Sequence, residues 1–125
     1  MGYRSQVESI IYGEAEKIDL FIVKHKILDS TVFEHFKDDI RIVDRDSPLG
    51  NYPPQKGIIL SGDHWKWYDS YPDVKAWMEL LDDAERFGLQ YEHVRVGEET
   101  GDIETKTTED CDWVLNVSTT IDNAF

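Results

Sequence analysis

The densest chemical stretch of the chain is His64-Trp65-Lys66-Trp67-Tyr68-Asp69-Ser70-Tyr71-Pro72. It sets large rings beside an imidazole, an ammonium and a carboxylate. On a regular strand Trp65 and Trp67 point to one face, and His64, Lys66 and Tyr68 to the other. One face must meet a helix layer, so the two tryptophans are either core or an exposed binding surface. Tryptophan and tyrosine bury much area at little entropic cost. Trp65, Trp67, Tyr68 and Tyr71 are therefore the candidate anchor for a partner. The same rings suit a small ligand, with a base stacked on Trp65, Trp67 or Tyr71 and a phosphate on Arg4 or Arg95. A third use is acid–base chemistry, pairing His64 with His93 or Asp69 if their strands lie side by side.

The second chemical stretch is acidic. Residues 98–112 carry Glu98, Glu99, Asp102, Glu104, Glu109, Asp110 and Asp112 against Lys106 alone. Glu98, Glu99, Asp102 and Glu104 form a candidate patch for a basic partner; the alternative is a solvated acidic hairpin. Hard-cation binding would use the same carboxylates, but the spacing of a calcium loop is missing, and no metal or cofactor is expected. The four histidines, His25, His35, His64 and His93, are not at zinc-ligand spacing with one another or with Cys111. Cys111 lies between two aspartates, which disfavour its thiolate. Phosphate-loop, dinucleotide, nucleophile-elbow and zinc-protease motifs are absent. No catalytic set is expected.

These residues need elements to hold them. Residues 2–12 alternate with a two-residue period and read as a strand ended by Gly13; residues 14–28 read as a helix with Ile18, Phe21, Ile22 and Leu28 on one stripe. Thr31 with Glu34 fits a capping box opening a short helix through Val32, Phe33 and Phe36. Residues 40–44 are a second strand, 46–57 a loop, and 58–68 a third strand with a bulge or bend at Gly62. Pro72 opens and Gly88 closes a helix carrying Val74, Trp77, Met78, Leu81 and Ala84 at helical spacing. Residues 89–96 form a fourth strand, 97–101 a turn, and 102–108 with 113–121 a final hairpin bearing Trp113, Leu115, Val117 and Thr119 on one face. The expectation is a single α+β domain over residues 1–125. It is a two-layer sandwich of mostly antiparallel sheet with helices on one face, in ferredoxin-like β-α-β-β-α-β order plus a C-terminal hairpin.

Composition bounds the rest. A chain of 125 residues buries about two-thirds of its surface, enough for one core. One cysteine excludes an internal disulfide scaffold. No apolar run reaches the ~20 residues of a membrane span, and MGYRSQVE lacks a secretory apolar stretch. Twenty-six acidic against 13 basic residues leave a net charge of −13. The excess is concentrated in residues 63–125, with 16 acidic and 5 basic groups. That field disfavours nucleic acid and anionic membrane as partners and favours a basic protein. Ile10, Tyr12, Val94 and Val96 alternate out of phase with the other apolar positions. If they leave an apolar outer sheet face, a second copy would cover it, as in a homodimer.

Three groups of residues recur in an order that resembles a group of small uncharacterised proteins from tailed-phage and prophage genomes. They are Gly2-Tyr3-Arg4-Ser5 with Val7, Trp67-Tyr68 with Tyr71-Pro72-Asp73-Val74, and Arg95-Val96-Gly97-Glu98 with Asp102-Ile103-Glu104. The resemblance spans most of the chain and thins between residues 30 and 57. It implies a phage origin and action in the cytoplasm of a bacterial host, and it implies no activity.

The leading expectation is a non-enzymatic acidic binding protein that inhibits or redirects a host factor with a basic surface. A small-molecule, nucleotide-type binder or sponge is the alternative, with Arg4, His64, His93 and Arg95 as its polar contacts. A toxin-immunity protein shares the acidic-inhibitor logic with a single cognate partner.

Overall fold

The computed structural model describes residues 4–27, 39–45, 54–68, 70–99, 101–109, 111, 114–117 and 121–123. The elements run β1 (Ser5–Glu14), α1 (Ala15–His25), β2 (Ile40–Arg45), β3 (Gln55–Trp65), α2 (Pro72–Arg86), β4 (Gln90–Gly97), β5 (Ile103–Thr107), β6 (Leu115–Val117) and β7 (Ile121–Asn123). The five long strands form one antiparallel sheet in the order β2-β3-β1-β4-β5. Each strand–helix–strand unit leaves a gap filled by a strand of the other. The result is an α+β sandwich, a helix layer over an antiparallel sheet. The expected short helix at 31–36 lies outside the described residues.

Alternation sorts the sheet. On β1, Val7, Ser9 and Ile11 face the helices, while Glu8, Ile10 and Tyr12 face away. Ile58 and Leu60 of β3 and Tyr91 of β4 join the helix side. Helix α2 buries Val74, Trp77, Leu80, Leu81 and Ala84, a stripe at three- and four-residue spacing. Its limits are chemical. Pro72 sits at the first position, where its missing N–H costs nothing, and Gly88 takes φ +89° beyond the end. Helix α1 buries Ile18 and Phe21 and ends on Lys26 in the left-handed region, φ 51°.

The final hairpin is corrected. Residues 103–107 pair with β4, not with the C-terminal segment. That segment makes its own two-stranded sheet, β6 against β7. Trp113 and Thr119, expected on one face of it, lie outside the described residues. The reason is steric economy: the five-residue turn after β4 returns the chain at once to the free edge of β4, leaving the last segment to cross the outer face.

There it covers the apolar surface for which a second copy was expected. Val114 and Leu115 pack with Ile10, Tyr12, Ile59 and Val94. The motive for a homodimer on that face is thereby removed. Two carboxylates hold the cover down. Glu92, 1% exposed, accepts the Tyr12 hydroxyl at 2.6 Å and the backbone N–H groups of Val114 at 3.0 Å and Leu115 at 3.1 Å. Glu8 accepts the Asn123 amide at 2.9 Å. Three donors satisfy the Glu92 carboxylate, as a buried acceptor-only group requires.

Glu92→Gln turns an NH2 group toward these donors while keeping the side chain's shape. The expected loss is about 2–3 kcal/mol in urea unfolding. A loss under about 0.5 kcal/mol would show that Glu92 does not hold the C-terminal cover.

Candidate functional site

A cavity of about 440 Å³ opens at the edge of the helix layer. It is lined by Arg4, His64, Trp65, Lys66, Tyr71, Pro72, Asp73 and Val74. Three elements meet there. Arg4 directly precedes β1, His64 and Trp65 end β3, and Tyr71 to Val74 start α2. The pairing of Ser5 with Trp65 brings the first two together.

The end of β3 is irregular for a stated reason. Ser5 pairs with Trp65 and Val7 with Gly62, so three steps on β3 oppose two on β1. This bulge places His64 at φ 59°, a left-handed conformation that is uncommon for a residue with a Cβ. The kink lays the Trp65 ring over Gly62, where any Cβ would collide with the ring. Trp65 then stacks on Trp67, with ring planes at 15° and centroids 6.2 Å apart. The Asp63 carboxylate accepts the His64 backbone N–H at 2.8 Å and stabilises the turn.

The bulge also breaks the alternation expected for the aromatic run. Trp65 lines the cavity and is half-buried; Trp67 is core, 7% exposed. The two tryptophans do not share one role. Tyr71 is 40% exposed at the cavity mouth, and Tyr68 supports it edge-on at 5.2 Å.

The cavity's polar groups are Arg4, Lys66, His64 and Asp73. The Arg4 guanidinium donates to the His64 carbonyl at 3.2 Å, tying β1 to the bulge. The His64 imidazole sits 3.7 Å from Asp63. Helix α2 starts without a side-chain cap among the described residues. Its first-turn N–H groups give that end a partial positive charge.

Two expected ligand contacts lie elsewhere. Arg95 donates to both Asp102 oxygens, at 2.9 and 3.2 Å, and to Ser5 Oγ at 3.1 Å, and stands 3.6 Å from Glu104. It is a structural clamp between β1, β4 and the turn before β5. His93 is fully buried. It faces Ser9 across the β1–β4 pair, so β1 separates it from β3 and His64. The His64–His93 pair is therefore not formed, and Asp69 lies outside the described residues.

His93 belongs instead to a buried polar chain. Trp77 Nε1–H donates to Ser9 Oγ at 2.9 Å, and Ser9 Oγ lies 3.1 Å from His93 Nδ1. His93 Nε2 has no hydrogen-bond partner among the described residues. Burial, reinforced by the positive charges of Lys106 and Arg95, lowers the His93 pKa from 6.5 to about 4.

The acidic patch is partly spent internally. Asp102 and Glu104 flank Arg95, and Glu98 accepts the Arg4 backbone N–H at 2.9 Å. Glu98, Glu99 and Glu104 are exposed. No three His, Cys, Asp or Glu residues gather as a metal site among the described residues. No described helix is long and apolar enough to cross a membrane.

The chain matches no family model, no curated protein and no solved structure. Its own geometry is therefore the ground for any functional reading. The sequence reading placed Lys66 and Pro72 in the chemical stretch without giving them a ligand role, and it did not single out Asp73 and Val74 for the site. The available signal was a proline-started helix that directly follows an aromatic and basic run.

His93 makes stability depend on pH. Its folded pKa lies below its unfolded value, so between pH 6.5 and about 4 the unfolded chain binds more protons. Stability then falls by about 3 kcal/mol as pH drops through that window, and the contribution is constant below it. Urea titrations at stepped pH should show this slope in the parent protein and its loss in His93→Gln. Equal slopes in the two would refute it.

Proposed function

We propose that the protein is a non-enzymatic binder of a small planar anion of nucleotide type, held in the Arg4–Tyr71 cavity. The observation that carries this reading is a local reversal of charge. The chain has twice as many acidic as basic residues. Yet the described lining of this cavity pairs one carboxylate, Asp73, with Arg4, Lys66 and the first turn of a helix. Tyr71, exposed at the cavity mouth, supplies a face on which a base stacks, an interaction of about 1–3 kcal/mol per base, and Trp65 forms the wall beside it. The cavity volume, about 440 Å³, suits a small ligand. The left-handed His64 adds to the case, because backbone strain of this kind collects at ligand clamps. In the phage setting that the sequence resembles, such a protein acts as a nucleotide sponge in the host cytoplasm.

A second reading keeps the acidic surface as a contact for a basic host protein, immunity partners included. It draws on the exposed Glu98, Glu99 and Glu104. It ranks below the first because Glu98 and Glu104 also have partners within the fold.

Calorimetric titration of the full chain with nucleoside 5′-monophosphates at ~50 mM salt tests the first reading. One-site binding is expected, weakened about tenfold by Arg4→Ala and by Gly62→Ala, which displaces the Trp65 ring. Heat-free titrations across the panel, or variants that bind as well as the parent, would overturn it. A salt-sensitive, stoichiometric protein partner lost on neutralising Glu98, Glu99 and Glu104 would favour the second.

A further inference from the structure

We propose that the chain pairs with a second copy of itself through the free edge of β5, joining the two sheets into one. This does not depend on the nucleotide reading. β5 ends the sheet, with β4 on its one paired side. Two bonds fix the phase of that ladder: Gly97 N–H to the Asp102 carbonyl at 2.8 Å, and Thr108 N–H to the Tyr91 carbonyl at 3.1 Å. Glu104 and Lys106 therefore turn their backbone groups to β4, and Ile103, Thr105 and Thr107 turn theirs outward. The Ile103 N–H is taken by the Gly101 carbonyl at 2.9 Å. The Ile103 carbonyl and both backbone groups of Thr105 and Thr107 have no backbone partner among the described residues. Such an edge is a template for another strand.

The residues along that edge suit their own copy. In an antiparallel pair with a two-fold axis at Thr105, Thr105 meets Thr105 of the second copy, and each N–H donates to the other carbonyl. Thr107 meets Ile103 of the second copy and donates to its open carbonyl, once in each direction. The Ile103 N–H stays in its own turn. Glu104 then lies opposite Lys106 on both sides of the axis, at the non-hydrogen-bonded positions where side chains come closest. An axis at Ile103 would instead set Glu104 against Asp102, two like charges. A lysine on an edge ordinarily keeps other strands away; here the copy brings a carboxylate to meet it. Glu104 already lies 3.6 Å from Arg95, and Lys106 lies 2.8 Å from Asp82. Those contacts stay in place. The pairing is made by backbone, and the side chains of Glu104 and Lys106, 49% and 37% exposed, have room for a second neighbour. Ile103, 44% exposed, gains cover beside Thr107 of the second copy. The axis is perpendicular to the sheet, so both helix layers lie on the same side of it.

Sedimentation equilibrium of the full chain tests this. A salt concentration of ~150 mM, with a Debye length of ~8 Å, screens the repulsion between two chains of net charge −13. A reversible monomer–dimer equilibrium is expected. Thr105→Pro removes an outward N–H that β4 does not use, so it should weaken the dimer about tenfold or more without breaking the ladder. Glu104→Lys and Lys106→Glu should each weaken it about tenfold, because like charges then meet across the axis. An equimolar mixture of these two variants should dimerise again, since each then meets the opposite charge on the other. A misfolded variant would not show that recovery. The parent needs no variant for a second measurement: raising its concentration should slow hydrogen exchange at the Thr105 and Thr107 amides. A parent that stays monomeric up to ~1 mM would overturn the proposal. So would a dimer that leaves exchange at those two amides unchanged, that Thr105→Pro does not weaken, or whose charge variants associate no better mixed than alone.

Discussion

The structure depends on the enclosure of β1. Its two edges are paired, with β3 on one side and β4 on the other. Its two faces are covered, by the helices over Val7 and Ile11 and by the C-terminal segment over Ile10 and Tyr12. All four side chains are at most 1% exposed. A strand closed on every side must satisfy each polar group it carries, and this requirement explains the two buried polar clusters. On the helix side Ser9 lies between Trp77 and His93. On the outer side Tyr12 reaches Glu92, which also gathers the backbone of the last segment. Each cluster joins β1 to something distant in sequence, so polar satisfaction also specifies the packing.

The cavity lies where that enclosure ends. Past Val7 the ladder with β3 slips by one residue, and the chain is free to turn Trp65 back over Gly62. Arg4 crosses the gap to the His64 carbonyl, and the start of α2 forms the remaining wall. The ladder's other border, between β4 and β5, is closed by Arg95 and Asp102. Two arginines, one before β1 and one on β4, thus meet the same end of β1 with different duties. Arg95 is held by carboxylates in the sheet, whereas Arg4 stands at a cavity.

Much of the fold was legible because its signals are local. Pro72, Gly88 and the apolar spacing between them mark α2 without reference to the rest of the chain. The period of two along residues 5–12 marks β1, and the out-of-phase Ile10, Tyr12 and Val94 already pointed to a second apolar face. What covers that face was not legible. Leu115–Val117 falls inside the strand expected over 113–121, but the three residues Ile121–Asn123 have too short a period to announce themselves, and nothing local says which edge Ile103–Thr107 will join. The site divides in the same way. Trp65, Tyr71, Arg4 and His64 stood out by type. Arg95 could not be placed from its type, because its partner, Asp102, is reached only through the turn. The separation of His93 from His64 could not be read either, because it depends on a central strand between their two strands. The left-handed His64 carries no local mark at all, since an Asp-His pair does not announce a positive φ as glycine would.

The bulge at the end of β3 has an evolutionary consequence. In a pleated strand, the inside or outside placement of every side chain is fixed by counting, and a change of one residue type is judged by the face it lands on. Beyond the slipped register that count no longer applies. Residues 64–66 are released from the parity that governs the core, while Val7 to Tyr12 remain bound by it. The protein is thus divided into a conservative frame and a small region of free lettering. Changes in that region alter the lining of the cavity without asking the frame to fold differently.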